Sequence, residues 1–304
     1  VVRLLAVLVA SLLLALPARA ADPQVVQVAP RIYALVGDLG QRSAANLGNN
    51  ATFAAVVTEA GVVLIDSGGS KAGAQRLESV IKTITDQPVV AVINTGGQDH
   101  RWFGNAWFKG RGARLIAATA TVADQKARLD QQVDIARRLI GEGFAGTEPV
   151  TADETFDGDT ALKIGGVVFE LRPVGPAHTP GDTLVWLPDA RVMISGDVVF
   201  TDRLLGVMPY SSTKGWTAAF LKMAAFNPRA IIPGHGNPSD LSKAYAETFD
   251  YLTWLRRSVG KLIAGGGDMQ AAAGLDQGRF LDLVSAKDLA GRNAQQVFSE
   301  MEFE

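Results

Sequence analysis

Val89-Val90-Ala91-Val92-Ile93-Asn94-Thr95-Gly96-Gly97-Gln98-Asp99-His100 joins a continuous apolar run to a polar loop. A run of that length, opened by Pro88 and closed by Asn and Gly, predicts a buried strand that delivers a loop. An acid and an imidazole stand side by side at the loop's end, ahead of a helix entry. The chain has 3 histidines, and each lies just past an apolar run. They are His100, His178 in Ala177-His178-Thr179-Pro180-Gly181-Asp182, and His235 in Ile231-Ile232-Pro233-Gly234-His235-Gly236. A fourth such place, Ile194-Ser195-Gly196-Asp197, carries an acid. Side chains at several strand exits can converge on one point, and two acids with three imidazoles suit a borderline metal such as zinc.

Working outward, Ile32–Val36 reads as a strand, and Ala51–Thr58 with Val62–Asp66 as a hairpin around Glu59-Ala60-Gly61. Ser70 caps a helix whose apolar positions Ala74, Leu77, Ile81 and Ile84 fall at helical spacing. That returns the chain to the Val89 strand as a β-α-β unit. Trp102, Phe103, Trp107 and Phe108 read as core. Residues 119–141 read as one charged outer helix. Gly165-Gly166 suits a two-residue hairpin turn, and a second hairpin forms around Pro188-Asp189. A helix follows from Gly215-Trp216 to Met223, then a last strand over 230–233. Beyond Pro238, Tyr245, Phe249, Leu252, Val259 and Leu262 give an amphipathic helix, and residues 268–304 a short helical tail packed on the domain.

Composition bounds the function. At 304 residues and 47% hydrophobic content the chain is long enough for a large core, and a formal net charge of -2 offers no basic footprint for nucleic acid. Cysteine is absent, so disulfides, thiolate ligands and thiol nucleophiles are excluded. Residues 1–20 combine Arg3, the apolar runs 4–10 and 12–16, and Pro17-Ala18-Arg19-Ala20, the pattern of a secretory signal cleaved after about Ala20. An uncleaved membrane anchor is the alternative, although the run is at the short end for a span. The expectation is a periplasmic protein with no stable membrane insertion after cleavage.

Asn-Thr-x-x-x-Asp-His, His-Thr-Pro-Gly-Asp, Ser-Gly-Asp and Pro-Gly-His-Gly, in that order over roughly residues 26–240, resemble the metallo-β-lactamase superfamily. The nearest resemblance is to its quinoprotein relay system, or sulfur-oxidation-cluster, zinc metallohydrolase subgroup. The resemblance implies an α/β fold, an αββα four-layer sandwich over residues 21–240, with a C-terminal helical extension over 241–304. It departs from the family's His-x-His-x-Asp-His motif, because the two leading histidines are missing. Counting forward from Thr95 puts Gly96 and Gln98 in their places. Counting back from Asp99 puts Thr95 and Gly97 there, and the loop is one residue short.

Carried over residue by residue, the resemblance implies a metal set of Asp99, His100, His178, Asp197 and His235. Asp99, His100 and His235 match the second metal position, Asp197 the bridging carboxylate, and His178 the one imidazole left of the first. One zinc per chain would be held by Asp99, His100 and His235 with Asp197 or water, and His178 would line the pocket as hydrogen-bond donor or proton carrier. Asp99, His178 and Asp197 are then the catalytic candidates. Gln98 would add a neutral oxygen or orient a water. Asp66 would orient ligands or pin the loop, and Asp182 would cap its turn. Arg203, Tyr210 and Lys214 lie in the loop after Asp197, the place to meet a substrate carboxylate, yet each reads as a solvated surface group. The implied function is an exported metal-dependent hydrolase acting on a small-molecule ester, thioester or amide-type carbonyl. The alternatives are a non-catalytic metal- or ligand-binding member of a periplasmic quinoprotein or sulfur-oxidation system, and a metal-free scaffold.

Overall fold

The computed structural model describes residues 22–302 and 304. The expected export signal at 1–20 lies outside them. Strands β1 (Gln24–Ala29), β2 (Ile32–Val36), β3 (Thr52–Thr58), β4 (Gly61–Ile65), β5 (Val89–Asn94), β6 (Arg114–Ala118) and β7 (Glu154–Phe156) form one sheet in chain order. Its first four strands are antiparallel and the pairs from β4 to β7 are parallel. The second sheet has the order β12 (Ala230–Ile232), β11 (Val192–Ile194), β10 (Thr183–Leu187), β9 (Val167–Pro173) and β8 (Thr160–Ile164). The β8–β9 turn is Gly165-Gly166 with φ of 50° and 85°. Both residues sit where a side chain is penalised, which is why glycines occupy this two-residue loop.

Strand periodicity sorts the core into layers. In β4, Val63 and Ile65 face the second sheet and pack with Phe169, Leu171, Val185 and Ile194. Val62 and Leu64 face the other way, against Ala74, Leu77 and Ile81 of helix α1 (Lys71–Ile81). Ser70 caps α1, its hydroxyl accepting from Gly73 N. On the far side of the second sheet, Leu184, Trp186, Met193 and Ile231 pack with later helices. Helix, sheet, sheet, helix is the αββα sandwich.

The helices that follow α1 are α2 (Asp99–Trp102), α3 (Asn105–Lys109), α4 (Thr119–Ala127), α5 (Leu129–Ile140), α6 (Thr213–Ala225), α7 (Leu241–Ala244), α8 (Asp250–Ala264), α9 (Met269–Ala273) and α10 (Ala286–Met301). The expected single helix over 119–141 is two, broken at Arg128, whose φ of -110° and ψ of 9° are not helical. A π-helical turn over Tyr245–Phe249 joins α7 to α8. Strand β1, Gln-Val-Val-Gln-Val-Ala, is not among the strands that the sequence predicts, because it lacks a period-two apolar pattern. Among the described residues no helix is long and apolar enough to cross a membrane.

Candidate metal centre

Four strand exits deliver the site. Helix α2 begins one loop after β5 and carries Asp99 and His100; Asp197 follows β11; His235 follows β12; His178 lies in the loop between β9 and β10. Gly196 lets the two sheets close here. Its φ is +50°, and a Cβ on it would strike the Thr95 side chain. Thr95 is itself pinned, donating from N and Oγ1 to Asp66 at 2.8 and 2.7 Å. Asp66 thereby holds the loop that precedes α2.

His100, Asp197 and His235 come together, with ligand atoms all within 4.8 Å of one another and all three residues buried. His100 Nε2 lies 3.4 Å from Asp197 Oδ2, and His235 Nε2 lies 3.2 Å from Asp197 Oδ1. Donors on a tetrahedron with zinc bonds of ~2.0–2.2 Å sit about 3.3–3.6 Å apart, so the spacing fits one cation. The orientation fits as well. His235 Nδ1 donates to the Asn50 carbonyl at 2.7 Å, which leaves Nε2 with its lone pair. His100 Nδ1 lies 3.4 Å from Asp99 Oδ1 and 3.2 Å from Arg42 Nη1. With its proton on Nδ1, shared toward Asp99, its Nε2 offers a lone pair too. That Nε2 is buried and makes no hydrogen bond.

Asp99 and His178 fall outside this three-residue cluster. Asp99 instead takes Arg42 Nη1 at 2.8 Å and backs the His100 ring. Burial opposes its ionisation, but Arg42 and His100 outweigh that and hold its carboxyl below the usual range. His178 Nε2 lies 2.5 Å from Gln98 Oε1 and 4.0 Å from Asp197 Oδ2. The amide oxygen only accepts, so Nε2 is the protonated nitrogen. Burial pushes the His178 pKa down to about 4, against the pull of Asp197. Gln98 thus faces His178, as the forward count from Thr95 has it.

Three arginines complete the centre, and their roles were not readable in advance. Arg101 is 0% exposed. Its Nε and Nη2 reach Asp197 at 3.1 and 2.5 Å, its Nη1 reaches Asp66 at 3.1 Å, and the Thr52 and Gly234 carbonyls take the rest. Burial works against the Asp197 charge, yet the Arg101 guanidinium holds that carboxyl well below its ordinary range. Arg42 is bound to Asp99. Arg203, expected as a solvated group, is 5% exposed instead. Burial and the neighbouring Arg42 push its pKa down to about 10, so it remains a cation at neutral pH. A buried arginine looks in sequence like any surface arginine, because its partners are distant in the chain. Tyr210 is half-buried beneath the Arg128 guanidinium, 3.8 Å from its ring centre, and Lys214 is exposed. Asp182 takes Thr179 N and Oγ1 at 2.7 and 2.6 Å and closes its own turn.

Comparison with known proteins places the chain. Metallo-beta-lactamase IND-1 of Chryseobacterium indologenes is 28% identical over 184 residues, 59% of this chain and 69% of its own. A linear primary-alkylsulfatase of a Pseudomonas strain is 24% identical over 220 residues, 59% of this chain but 40% of its own, so the match spans well under half of that enzyme. Among solved structures, a metallo-beta-lactamase from Pontibacter korlensis superposes with a TM-score of 0.60 at 22% identity, over 76% of this chain and 99% of that one. The sec-alkylsulfatase Pisa1 from Pseudomonas sp. gives 0.71 at 16% identity, over 92% of this chain and 50% of that one. At such identities the structural likeness carries the fold. The family profile itself runs across residues 47–235, from before β3 to the last of the clustered histidines. With most of both sheets and the whole His100–Asp197–His235 cluster inside that match, the chain belongs to the metallo-beta-lactamase superfamily.

Proposed function

We propose that this chain is a hydrolase that works with a single zinc ion held by His100, Asp197 and His235, acting on an ester, thioester or amide-type carbonyl. The observation that carries it is the convergence of two correctly turned imidazoles on one carboxylate, with His100 Nε2 buried and unpartnered. Zinc in a site of this type supplies a Lewis acid and brings the pKa of water toward neutrality. The protein's share is to hold the donors. Asp99 backs His100, the Asn50 carbonyl backs His235, and Arg101 fixes the Asp197 carboxylate at both oxygens. Partners of this type orient ligands and raise their basicity. His178, neutral and bound to Gln98, serves as a fixed wall of the site and holds its proton at Nε2. Export to the periplasm is supported by the sequence of residues 1–20 alone, as is a link to a quinoprotein partner by the subgroup resemblance alone.

One observation favours a second reading, a binding protein without turnover. Asp99 is paired with Arg42, and Asp66 and Asp197 share Arg101, so the carboxylates of the centre already have cationic partners of their own. Elemental analysis of the purified secreted form separates the readings. One zinc per chain is expected, lost in His100→Ala and in His235→Ala, with turnover in a panel of esters, thioesters and lactams. A metal count of zero or two refutes the mononuclear site. One metal with no turnover across the panel supports the binding protein.

A further inference from the structure

A phenyl ring stands against the His235 imidazole. Phe200 stacks on it with ring centres 4.5 Å apart and planes 16° from parallel. The two residues form a parallel bridge, in which Gly234 N donates to the Val199 carbonyl and Thr201 N to the His235 carbonyl, each at 2.9 Å. Those bonds use Val199 and Thr201, so the N–H and C=O of Phe200 must find partners on the opposite side. One hydroxyl serves both. Phe200 N donates to Thr248 Oγ1 at 3.0 Å, and Thr248 Oγ1 donates to the Phe200 carbonyl at 2.6 Å. Thr248 is fully buried in the π-helical turn between α7 and α8, on a stripe it shares with Ala244, Tyr251, Leu252 and Leu255. Single π-turns inside helices recur at functional sites. Thr253 of α8 gives its hydroxyl to the Phe249 carbonyl of its own helix, the ordinary habit of a helical threonine. Thr248 does not.

The same turn reaches the other flank of His235. Glu247 Oε2 accepts from Asp202 N at 2.6 Å, and Lys243 pairs with the Asp202 carboxylate. Asp202 Oδ2 in turn takes Asn237 N and Nδ2 at 2.9 and 2.8 Å, two residues past the histidine. Its φ of +61° is a conformation that a residue with a side chain keeps only where its surroundings over-determine it.

We propose that Thr248 is a positioning residue for the metal centre: by holding both backbone groups of Phe200 it fixes the phenyl ring against His235 and keeps Nε2 aimed at Asp197 and the cation. The bond from His235 Nδ1 to the Asn50 carbonyl sets the tautomer and one edge of the ring, and the stacked phenyl sets its plane. Thr248 lies beyond residue 235, where the family match ends, so the C-terminal helices contribute to the centre itself. The consequence for zinc rests on the single-zinc reading, but the placement of the ring does not.

Two measurements on the full-length protein test this. One is zinc affinity by competition with a chromogenic chelator. The other is exchange of the His235 Nδ1 proton with water, read by NMR on metal-free protein labelled with 15N-histidine. The chain has 3 histidines, so single His→Gln substitutions assign the resonances. Thr248→Val keeps the shape and removes the hydroxyl. It is expected to weaken zinc at least about tenfold, the scale of a lost partner behind a metal ligand. It should also speed exchange at His235 while the His100 Nδ1 proton, held by Asp99, keeps its rate. Thr248→Ser restores both, and Thr253→Val on the same helix changes neither. A merely structural tie would lower the unfolding midpoint and leave zinc affinity and ring proton alone in the folded variant. Phe200→Leu keeps both Thr248 bonds but removes the ring, so the same two losses are expected, and it carries the test if Thr248→Val does not fold. A wild type that takes up no zinc sinks the single-zinc reading, and the His235 proton then decides the role of Thr248. The assignment is overturned if folded Thr248→Val, or Phe200→Leu in its place, keeps the wild-type zinc affinity or the wild-type exchange at His235, or if Thr248→Ser loses as much as the valine variant.

Discussion

Arg101 decides whether the centre can exist at all. Asp66 and Asp197 are 1% and 2% exposed, and a carboxylate so placed keeps its charge only beside a cation. Burial raises the Asp66 carboxyl even with Arg101 and Thr95 opposing it, whereas Asp197, which takes the bidentate side of the fork, is held low. Arg101→Met removes the charge and leaves two acids facing each other across the gap, so it is expected to cost about 3–5 kcal/mol in urea unfolding, as for other broken buried ion pairs. Arg101→Lys keeps one contact and falls between. A loss under about 1 kcal/mol in the Met variant, the range of exposed pairs, contradicts this account. At this scale the sequence was half legible. His100, His235 and Asp197 stood out jointly, because all three histidines and the acid of Ser195-Gly196-Asp197 each follow an apolar run, although a lone core histidine has a bland explanation. Arg42, Arg101 and Arg203 did not, since only the folded chain brings Asp99, Asp66 and the Gly40 carbonyl to them.

At the scale of elements, the strand exits matter more than the strands. Apolar runs and glycine turns announced most strands, and the Gly165-Gly166 hairpin formed as its residues required. The loop between β9 and β10 shows what lies beyond such rules. Its turn is closed by Asp182 on Thr179, and Thr121 donates to the Gly181 carbonyl from across the fold. Burial, with Asp197 and Asp124 adding like charge, pushes Asp182 up to about 7 despite its two hydrogen bonds from Thr179. The sign follows directly. An acid raised above its unfolded value near 3.8 favours the fold when protonated, so its contribution is complete below pH 4 and is lost as pH rises through 7. Asp182→Asn cannot ionise, and its amide can donate to Thr179 Oγ1 while its oxygen takes Thr179 N. Urea unfolding from pH 4 to 8 is therefore expected to show the Asn variant gaining on the wild type by up to about 4 kcal/mol. A gap that stays constant with pH removes Asp182 from this role.

At the scale of the molecule, the C-terminal helices share a core with the second sheet. Ala294, Val297 and Phe298 of α10 belong to one buried cluster with Tyr251, Leu252 and Leu255 of α8, Trp216 and Phe220 of α6, and Leu184, Trp186 and Met193 of the sheet. Polar contacts reinforce it. Asn293 donates to the Leu205 carbonyl and accepts from Val207 N, and Glu300 takes Thr213 N and Oγ1 at the start of α6. The segment bound by Asn293 is the one that carries Arg203 away from Asp197, so the tail braces one wall of the centre. An appendage would unfold separately and leave the sandwich unchanged. A shared core predicts the reverse. Phe298→Ala, opening a cavity among these residues, is expected to cost about 3–5 kcal/mol and to lower a single transition seen together by far-ultraviolet circular dichroism and tryptophan fluorescence. Removing residues 285–304 should leave no cooperative unfolding at all. An early minor transition in Phe298→Ala, followed by a main one at the wild-type midpoint, would show the tail to be thermodynamically separate and the brace on the Arg203 segment to be dispensable.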